Sequence, residues 1–331
     1  MDYLSVGYIK MILDVEKKLF SYKLFREVRN SNYKIVSKNG WIIKIKNENN
    51  AIGYGEISPI LRNDFMICER EINLIPKENN EISIIENTKN LHPCIQSGIN
   101  SALAEMSGEL QFRKSYPFNK IDQSALLLNS SNIIKELKSI KKNIKYKDLN
   151  ITIKWKVGIQ ENSKEIKLLE EILSELPSNY KLRIDANGSF SRKQANDWSD
   201  ILKNNEKLDW LEQPLIAHDY EGLKKLNDKI PIALDESLIQ FPELIESWEG
   251  WQIRRPSQEK NPIRLLEDLI NNKNFISISS SFETGIGRRL LYHFAFIQSK
   301  GPTPKVPGLA LAQTPNTLLF NSNPNIIWEN L

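Results

Sequence analysis

From Ser124 to the end of the 290s, short apolar runs alternate with stretches whose apolar residues recur at helical spacing. Such a pattern predicts repeated βα units around a parallel sheet. Strands are predicted in SALLLN (124–129), NITIKWKVG (150–158), KLRIDANG (181–188), LDWLEQPL (208–215), PIALDES (231–237), WQIRRPS (251–257) and FISISSSF (275–282). Helical stretches follow them, as in NSKEIKLLEEILSEL (162–176) and NPIRLLEDLINN (261–272), and an eighth strand near KVPGLAL (305–311) would close a barrel. Residues 1 to about 90 read differently. Two strands are predicted within NYKIVSKNGWIIKIKN and a Gly-rich return in AIGYGEISP, so a small α+β domain precedes the barrel.

Charged residues interrupt the strands at one end. Lys154 and Lys156, Asp185, Glu212, Asp235 and Arg255 lie at or near the C-terminal ends of consecutive strands, which in a β/α barrel is the active-site face. In the second strand Ile151, Ile153, Trp155 and Val157 alternate with Thr152, Lys154 and Lys156, so both lysines should point into the barrel. In the third, Leu182, Ile184 and Ala186 alternate with Arg183, Asp185 and Asn187.

A buried charge must be paired or must ligate something. Asp185, Glu212 and Asp235 are separated by 212 − 185 = 27 and 235 − 212 = 23 residues, each about one βα unit. Three oxygen ligands with open positions suit Mg²⁺. Any one such acid could be a helix N-cap or a salt-bridge partner, but three in register with two lysines fit a metal site with a base. Lys154 and Lys156 have Cα atoms about 6–7 Å apart. Mutual repulsion of about 2.5 kcal/mol would lower their pKa by nearly two units, bringing a lysine within reach of general-base work.

Composition narrows the field only slightly. In 331 residues the 40% hydrophobic and 26% charged content is that of an ordinary globular protein. The net charge of +4 is spread among many acids rather than gathered with aromatics, so no nucleic-acid partner is expected. The densest basic run, KKNIKYK (141–147), reads as a solvated helix end and loop. MDYLSVGYIKMILDVEKKLF has charges in every apolar run, which predicts neither signal peptide nor membrane span and makes a cytoplasmic protein the expectation. Cys68 and Cys94 have no metal-binding spacing and read as buried thiols. His92, His218 and His293 are isolated and receive no catalytic role.

KWKVG, RIDANGSF, WLEQPL, ALDES and ISSSFETGIG together resemble the enolase superfamily, within its muconate-lactonizing-enzyme-like group, and specifically the o-succinylbenzoate synthase family. YGEISP (54–59) and HPCIQSGINSALAEMSGEL (92–110) resemble that family's capping-domain exit and the helix leading into its barrel. The resemblance implies an α/β fold, a (β/α)7β TIM-like barrel with an N-terminal α+β capping domain. The divisions would be a cap over 1–92, a barrel over 93–311 and a C-terminal segment, 312–331, returning to the cap. It implies Mg²⁺, with Mn²⁺ able to substitute, held by Asp185, Glu212 and Asp235. Lys156 would be the catalytic base, Lys154 would help hold an enediolate, and Asn187 would be an auxiliary residue. The reaction implied is syn dehydration of 2-succinyl-6-hydroxy-2,4-cyclohexadiene-1-carboxylate to 2-succinylbenzoate, in menaquinone or phylloquinone biosynthesis. The partner would be a small-molecule carboxylate, and the protein a monomer or small homo-oligomer without nucleic-acid or membrane partners.

Two departures from the family pattern bear on specificity. The family usually has a lysine before the proline that ends strand 6, and here that position is Arg255. Arginine stays protonated and cannot be a second base, which disfavours an N-acylamino acid racemase or dipeptide epimerase on the same scaffold. Arg255 keeps an electrostatic role. Strict alternation groups Arg255 with Trp251 and Ile253, which would put Arg254 inward, whereas matching the proline to the family puts Arg255 inward. The second departure is ILRNDFMICERE (60–71), where the family tends to have a Pro-Gly loop that closes over the site. Ser279 and Ser281 share a face and are candidates for substrate binding or for capping. A catalytically silent barrel serving as a binding protein is the reading from outside enzymology, and the complete KxK and acid triad count against it.

Overall fold

The computed structural model describes residues 11–29, 33–117, 125–128, 132–143 and 149–331. Residues 1–10, Ser124, Asn129 and residues 144–147 of the basic run, on which some of the expectations above fall, lie outside these. The capping domain is a four-stranded antiparallel sheet in the order β3-β2-β1-β4, made of β1 (Ile12–Arg29), β2 (Lys34–Asn47), β3 (Ile52–Ile57) and β4 (Glu78–Asn80). α1 (Arg62–Glu71) and α2 (Glu81–Thr88) complete it, and α3 (Pro93–Ser107) lies across β3.

β1 buries opposite faces in its two halves. Leu13 and Val15 join the cap core with α3, whereas Phe20, Tyr22, Leu24 and Val28 pack towards Ile286 and Trp328, on elements that follow the barrel strands. The switch of phase falls at Lys17 and Lys18, so one long strand serves two cores. The two strands expected within NYKIVSKNGWIIKIKN are a single strand, β2. Its Asn39-Gly40 is not a turn: Gly40 pairs with Phe20, and a Cβ there would lie 2.2 Å from the Ile57 carbonyl and 2.7 Å from the Phe20 ring.

The glycines of GYG have a packing reason. Gly53 and Gly55 share the face of β3 on which α3 rests, and a Cβ on them would fall 1.9 Å from the Ala102 carbonyl and 1.8 Å from that of Gly98. Backbone-to-backbone approach of this kind tolerates no side chain.

The barrel strands run in sequence order and all are parallel: β5 (Leu126–Leu127), β6 (Thr152–Lys156), β7 (Lys181–Asp185), β8 (Leu208–Glu212), β9 (Ile232–Leu234), β10 (Trp251–Arg254) and β11 (Ile276–Ile278). Between them lie α4 (Ile133–Lys142), α5 (Asn162–Glu175), α6 (Arg192–Leu202), α7 (Tyr220–Asn227), the short α8 (Glu236–Gln240) and α9 (Leu244–Ser247), and α10 (Pro262–Ile270). α11 (Gly285–Gln298) follows β11, and α12 (Pro324–Glu329) ends the chain.

The expected eighth strand is only a bridge. Gly308 donates to Ile278 O at 2.8 Å and accepts from Ser280 N at 2.8 Å, while Pro307 O accepts from Ala125 N at 2.9 Å. These bonds tie both edges of the seven-stranded sheet to one segment, and Pro302, Pro304 and Pro307 lack the N–H groups that a longer ladder requires.

Between the sheet and its helices, Trp155 of β6 packs on Trp198 of α6 with ring centroids 5.8 Å apart. The C-terminal segment lies against the cap: Tyr54 Oη donates to Asn325 Oδ1 at 2.7 Å and Lys18 Nζ to Trp328 O at 2.8 Å. Cys68 and Cys94 are buried free thiols. Among the described residues no helix is long and apolar enough to cross a membrane.

Gly55→Ala is expected to destabilise the protein by about 2 kcal/mol or more, because α3 must lift off β3. Urea unfolding measures this, and wild-type stability would contradict the close approach.

Candidate active site

The ends of β6 to β10 bring the predicted charges together. β6 turns Trp155 outward and its two lysines inward, and its register sets Lys156 beside Asp185, which in turn pairs with Glu212. Lys154 Nζ donates to both Glu212 oxygens, at 2.6 and 2.7 Å, and lies 2.9 Å from Asp185 Oδ2. Lys156 Nζ donates to Asp185 Oδ2 and to Asn187 Oδ1, each at 2.9 Å. Asn187 holds a left-handed conformation, φ 47°, just past β7, and its Nδ2 donates to Glu236 Oε1 at 2.9 Å.

Arg255 faces the site. Its Nε and Nη2 grip Asp235 Oδ1 and Oδ2 at 2.9 and 2.7 Å, and Nη1 donates to Ser280 O. Arg254 points to the outer side, where it pairs with Glu259 and Asp268. Alternation along β10 therefore holds, but its apolar set is not the outer one. Trp251 and Ile253 fill the barrel interior beside Trp210, the two indoles stacking at 5.0 Å, and Arg255 follows on that inward face.

These pairings set the electrostatics. Burial works against the Lys154 charge, but Asp185 and Glu212 outweigh it and raise its pKa above the ordinary lysine range. The mutual depression expected of two lysines is thus overridden at Lys154 by the acids beneath it. Asp185 is held well below the usual carboxylate range: burial opposes this, and the two lysines prevail. Burial and the charges of Asp235 and Asp185 push Glu236 up to about 8.

A cavity of about 430 Å³ lies above these groups, between barrel and cap. Lys154, Lys156, Asp235, Glu236 and Arg255 line its barrel side, and Val28, Tyr33, Ile35, Ile60 and Leu61 its cap side. Burial and the charge of Glu236 raise the Tyr33 phenol above its usual range, so it remains a donor. Ser279 lines the cavity beside Ser280, whereas Ser281 does not: it is fully buried and its Oγ has no hydrogen-bond partner among the described residues. The expected pairing of Ser279 with Ser281 fails because β11 stops at Ile278.

Sequence reasoning missed Glu236, Tyr33 and Gln213. Gln213, at φ 38° and fully buried, joins two strand ends: its Oε1 accepts from the backbone N–H of Asp235 at 3.1 Å and of Ser237 at 3.0 Å, and its Nε2 donates to Ser237 Oγ at 2.7 Å. The sequence signals were the neighbours themselves, the Gln after Glu212 and the Glu after Asp235, each of which also reads as an ordinary turn or helix-start residue.

A divalent cation fits the donor chemistry. Four carboxyl groups (Asp185, Glu212, Asp235 and Glu236) face three cations (Lys154, Lys156 and Arg255), and the shielded Glu236 Oε2 has no hydrogen-bond partner among the described residues. Asp185, Glu212 and Asp235 could hold the cation. Among the described residues no three acidic, His or Cys side chains converge as a preformed cage, because Lys154 sits against both Asp185 and Glu212 and Arg255 takes both oxygens of Asp235.

The barrel and its cap are a known architecture. Residues 146–249 match the enolase C-terminal domain-like family. It is 27% identical over 275 residues, 78% of this chain and 80% of the relative, to o-succinylbenzoate synthase of Thermosynechococcus vestitus. The crystal structure of o-succinylbenzoate synthase from Thermosynechococcus elongatus, complexed with Mg in the active site, superimposes with a TM-score of 0.74 at 23% identity, covering 96% of this chain and 100% of that one. Over a shorter stretch, 91 residues or 26% of this chain and 25% of the relative, the chain is 38% identical to L-Ala-D/L-Glu epimerase of Clostridium acetobutylicum.

Replacing Gln213 by Leu should leave the N–H groups of Asp235 and Ser237 buried without acceptors and destabilise the fold by roughly 2–4 kcal/mol. Chemical denaturation reads this directly, and a loss below about 0.5 kcal/mol would show that the bridge does not hold the two strand ends together.

Proposed function

We propose that the chain catalyses the syn dehydration of 2-succinyl-6-hydroxy-2,4-cyclohexadiene-1-carboxylate to 2-succinylbenzoate, as a Mg²⁺-dependent cytoplasmic lyase serving menaquinone or phylloquinone biosynthesis. The observation that carries this reading is the asymmetry of the site: Lys154 and Lys156 stand on one side, and the cation facing them is an arginine locked onto Asp235. The similarity to o-succinylbenzoate synthase over most of the chain supports it.

Mg²⁺ held by Asp185, Glu212 and Asp235 would supply a Lewis acid for the negative charge that develops on the substrate carboxylate as its α-proton leaves. Lys156 takes that proton on Nζ and then delivers it to the departing hydroxyl, which leaves as water from the same face. Asn187 and Asp185 hold Nζ in place for both transfers. Lys154 stays protonated and adds a fixed positive charge. Arg255 adds a second across the cavity, while Tyr33, Ile60 and Leu61 keep bulk water from the cap side.

An epimerase is the second reading, favoured by the 38% identity to L-Ala-D/L-Glu epimerase over about a quarter of the chain. It needs a base on each face of the α-carbon. Burial opposes the Arg255 charge, but Asp235 prevails and holds the guanidinium protonated above even its usual range, so Arg255 does not supply the second base.

Formation of 2-succinylbenzoate, followed by absorbance in the presence of Mg²⁺, tests the proposal. Lys156→Ala should lower kcat by roughly 10²–10⁴-fold, and chelation should abolish turnover. A wild-type enzyme that binds metal but forms no product, or that epimerises dipeptides faster, would overturn it.

A further inference from the structure

Ile60 and Leu61, part of the apolar wall of the cavity, stand on the segment Ser58–Leu61, which belongs to neither strand nor helix. A buried side chain holds that segment. Lys38 of β2 is 1% exposed, and its Nζ donates to Ser58 O at 2.9 Å and Pro59 O at 2.5 Å. From the barrel, Gln258 Nε2 donates to the same Ser58 carbonyl at 2.7 Å. The Gln258 turn immediately follows Arg255, and Ser97 of α3 fixes it by donating to Pro256 O at 2.8 Å.

Among the described residues no carboxylate lies within ion-pair distance of Lys38. Its charge is balanced at longer range by Glu283 from the loop after β11, Glu56 from β3 and Asp64 from α1, with the Cys94 thiol of α3 also facing it. Glu283 accepts from Ser257 Oγ, Ser280 Oγ and Ser281 N, and Glu56 from Thr284 and Gly287. Ser280 O in turn accepts from Arg255. An ammonium buried against two carbonyls is an expensive way to anchor a loop, and here it stands where cap, cavity wall and Arg255 loop meet.

We infer that Lys38 is a positioning residue whose ammonium, with Gln258, clasps the Ser58–Leu61 segment to the barrel and so sets the apolar wall opposite Lys154 and Lys156. The clasp does not depend on which carboxylate the enzyme takes. Burial pushes Lys38 down to about 8, against the pull of Glu283, Cys94, Glu56 and Asp64.

Hydrogen exchange of the 58–61 segment, which needs no substrate, tests this apart from the proposed reaction. At pH 7 Lys38→Met should open the segment at least about tenfold more often than wild type, whereas Lys38→Arg should restore protection. On the dehydration substrate, Lys38→Met should raise KM about tenfold with kcat within about threefold. A folded Lys38→Met with wild-type protection overturns the inference. Should that variant not fold, Gln258→Leu, which removes the second donor to Ser58 O, is expected to open the same segment, and wild-type protection in a folded Gln258→Leu overturns the inference instead.

Discussion

The site depends on buried carboxylates that cannot stand alone. Asp185 and Glu212 are inaccessible to solvent and Asp235 nearly so, and an unpaired charge at such depth would be strongly destabilising. The chain meets this by placing cations in the same layer, Lys154 and Lys156 on β6 and Arg255 just past β10. Parallel register brings Lys156, Asp185 and Glu212 side by side across three strands. A one-residue slip of β6 would turn both lysines to the helices and leave the acids unbalanced. The same charges that pair at the barrel mouth are those that an anionic substrate and its cation would engage, so folding and chemistry draw on one arrangement.

The cap completes that arrangement by reaching across two cores. β1 changes its buried face half-way along, gripping α3 at one end and the elements beyond the barrel strands at the other. GYG lets α3 settle on β3 at backbone distance, and α3 then braces the turn that carries Gln258. The wall of the cavity is thus fixed from the cap and from the barrel together, which is how residues far apart in sequence come to bound one space.

Much of the barrel could be read from alternation, because strands covered by helices on one side leave a regular apolar pattern. Lys154, Lys156, Asp185 and Glu212 were legible for that reason, as charges breaking the pattern at the same end. Other features obeyed rules that period alone does not carry. β1 was hidden because its phase changes at Lys17–Lys18. The single strand β2 was not legible because the close approach of Phe20 and Ile57 to Gly40 is a tertiary fact. Arg254 and Arg255 could not be ordered from pattern, since Trp251 and Ile253 fill the interior instead of the outer layer. Lys38 carries no signal in its local sequence, and only the packing of four elements around it makes it a buried lysine.

Binding of Mn²⁺ as a paramagnetic stand-in for Mg²⁺, followed by electron paramagnetic resonance, tests most directly whether the charges at the barrel mouth form one cation site. One Mn²⁺ per chain is expected to bind, with Glu212→Gln weakening it at least about tenfold and Mg²⁺ competing for it. No saturable binding, or binding indifferent to the loss of the Glu212 charge, would contradict the account.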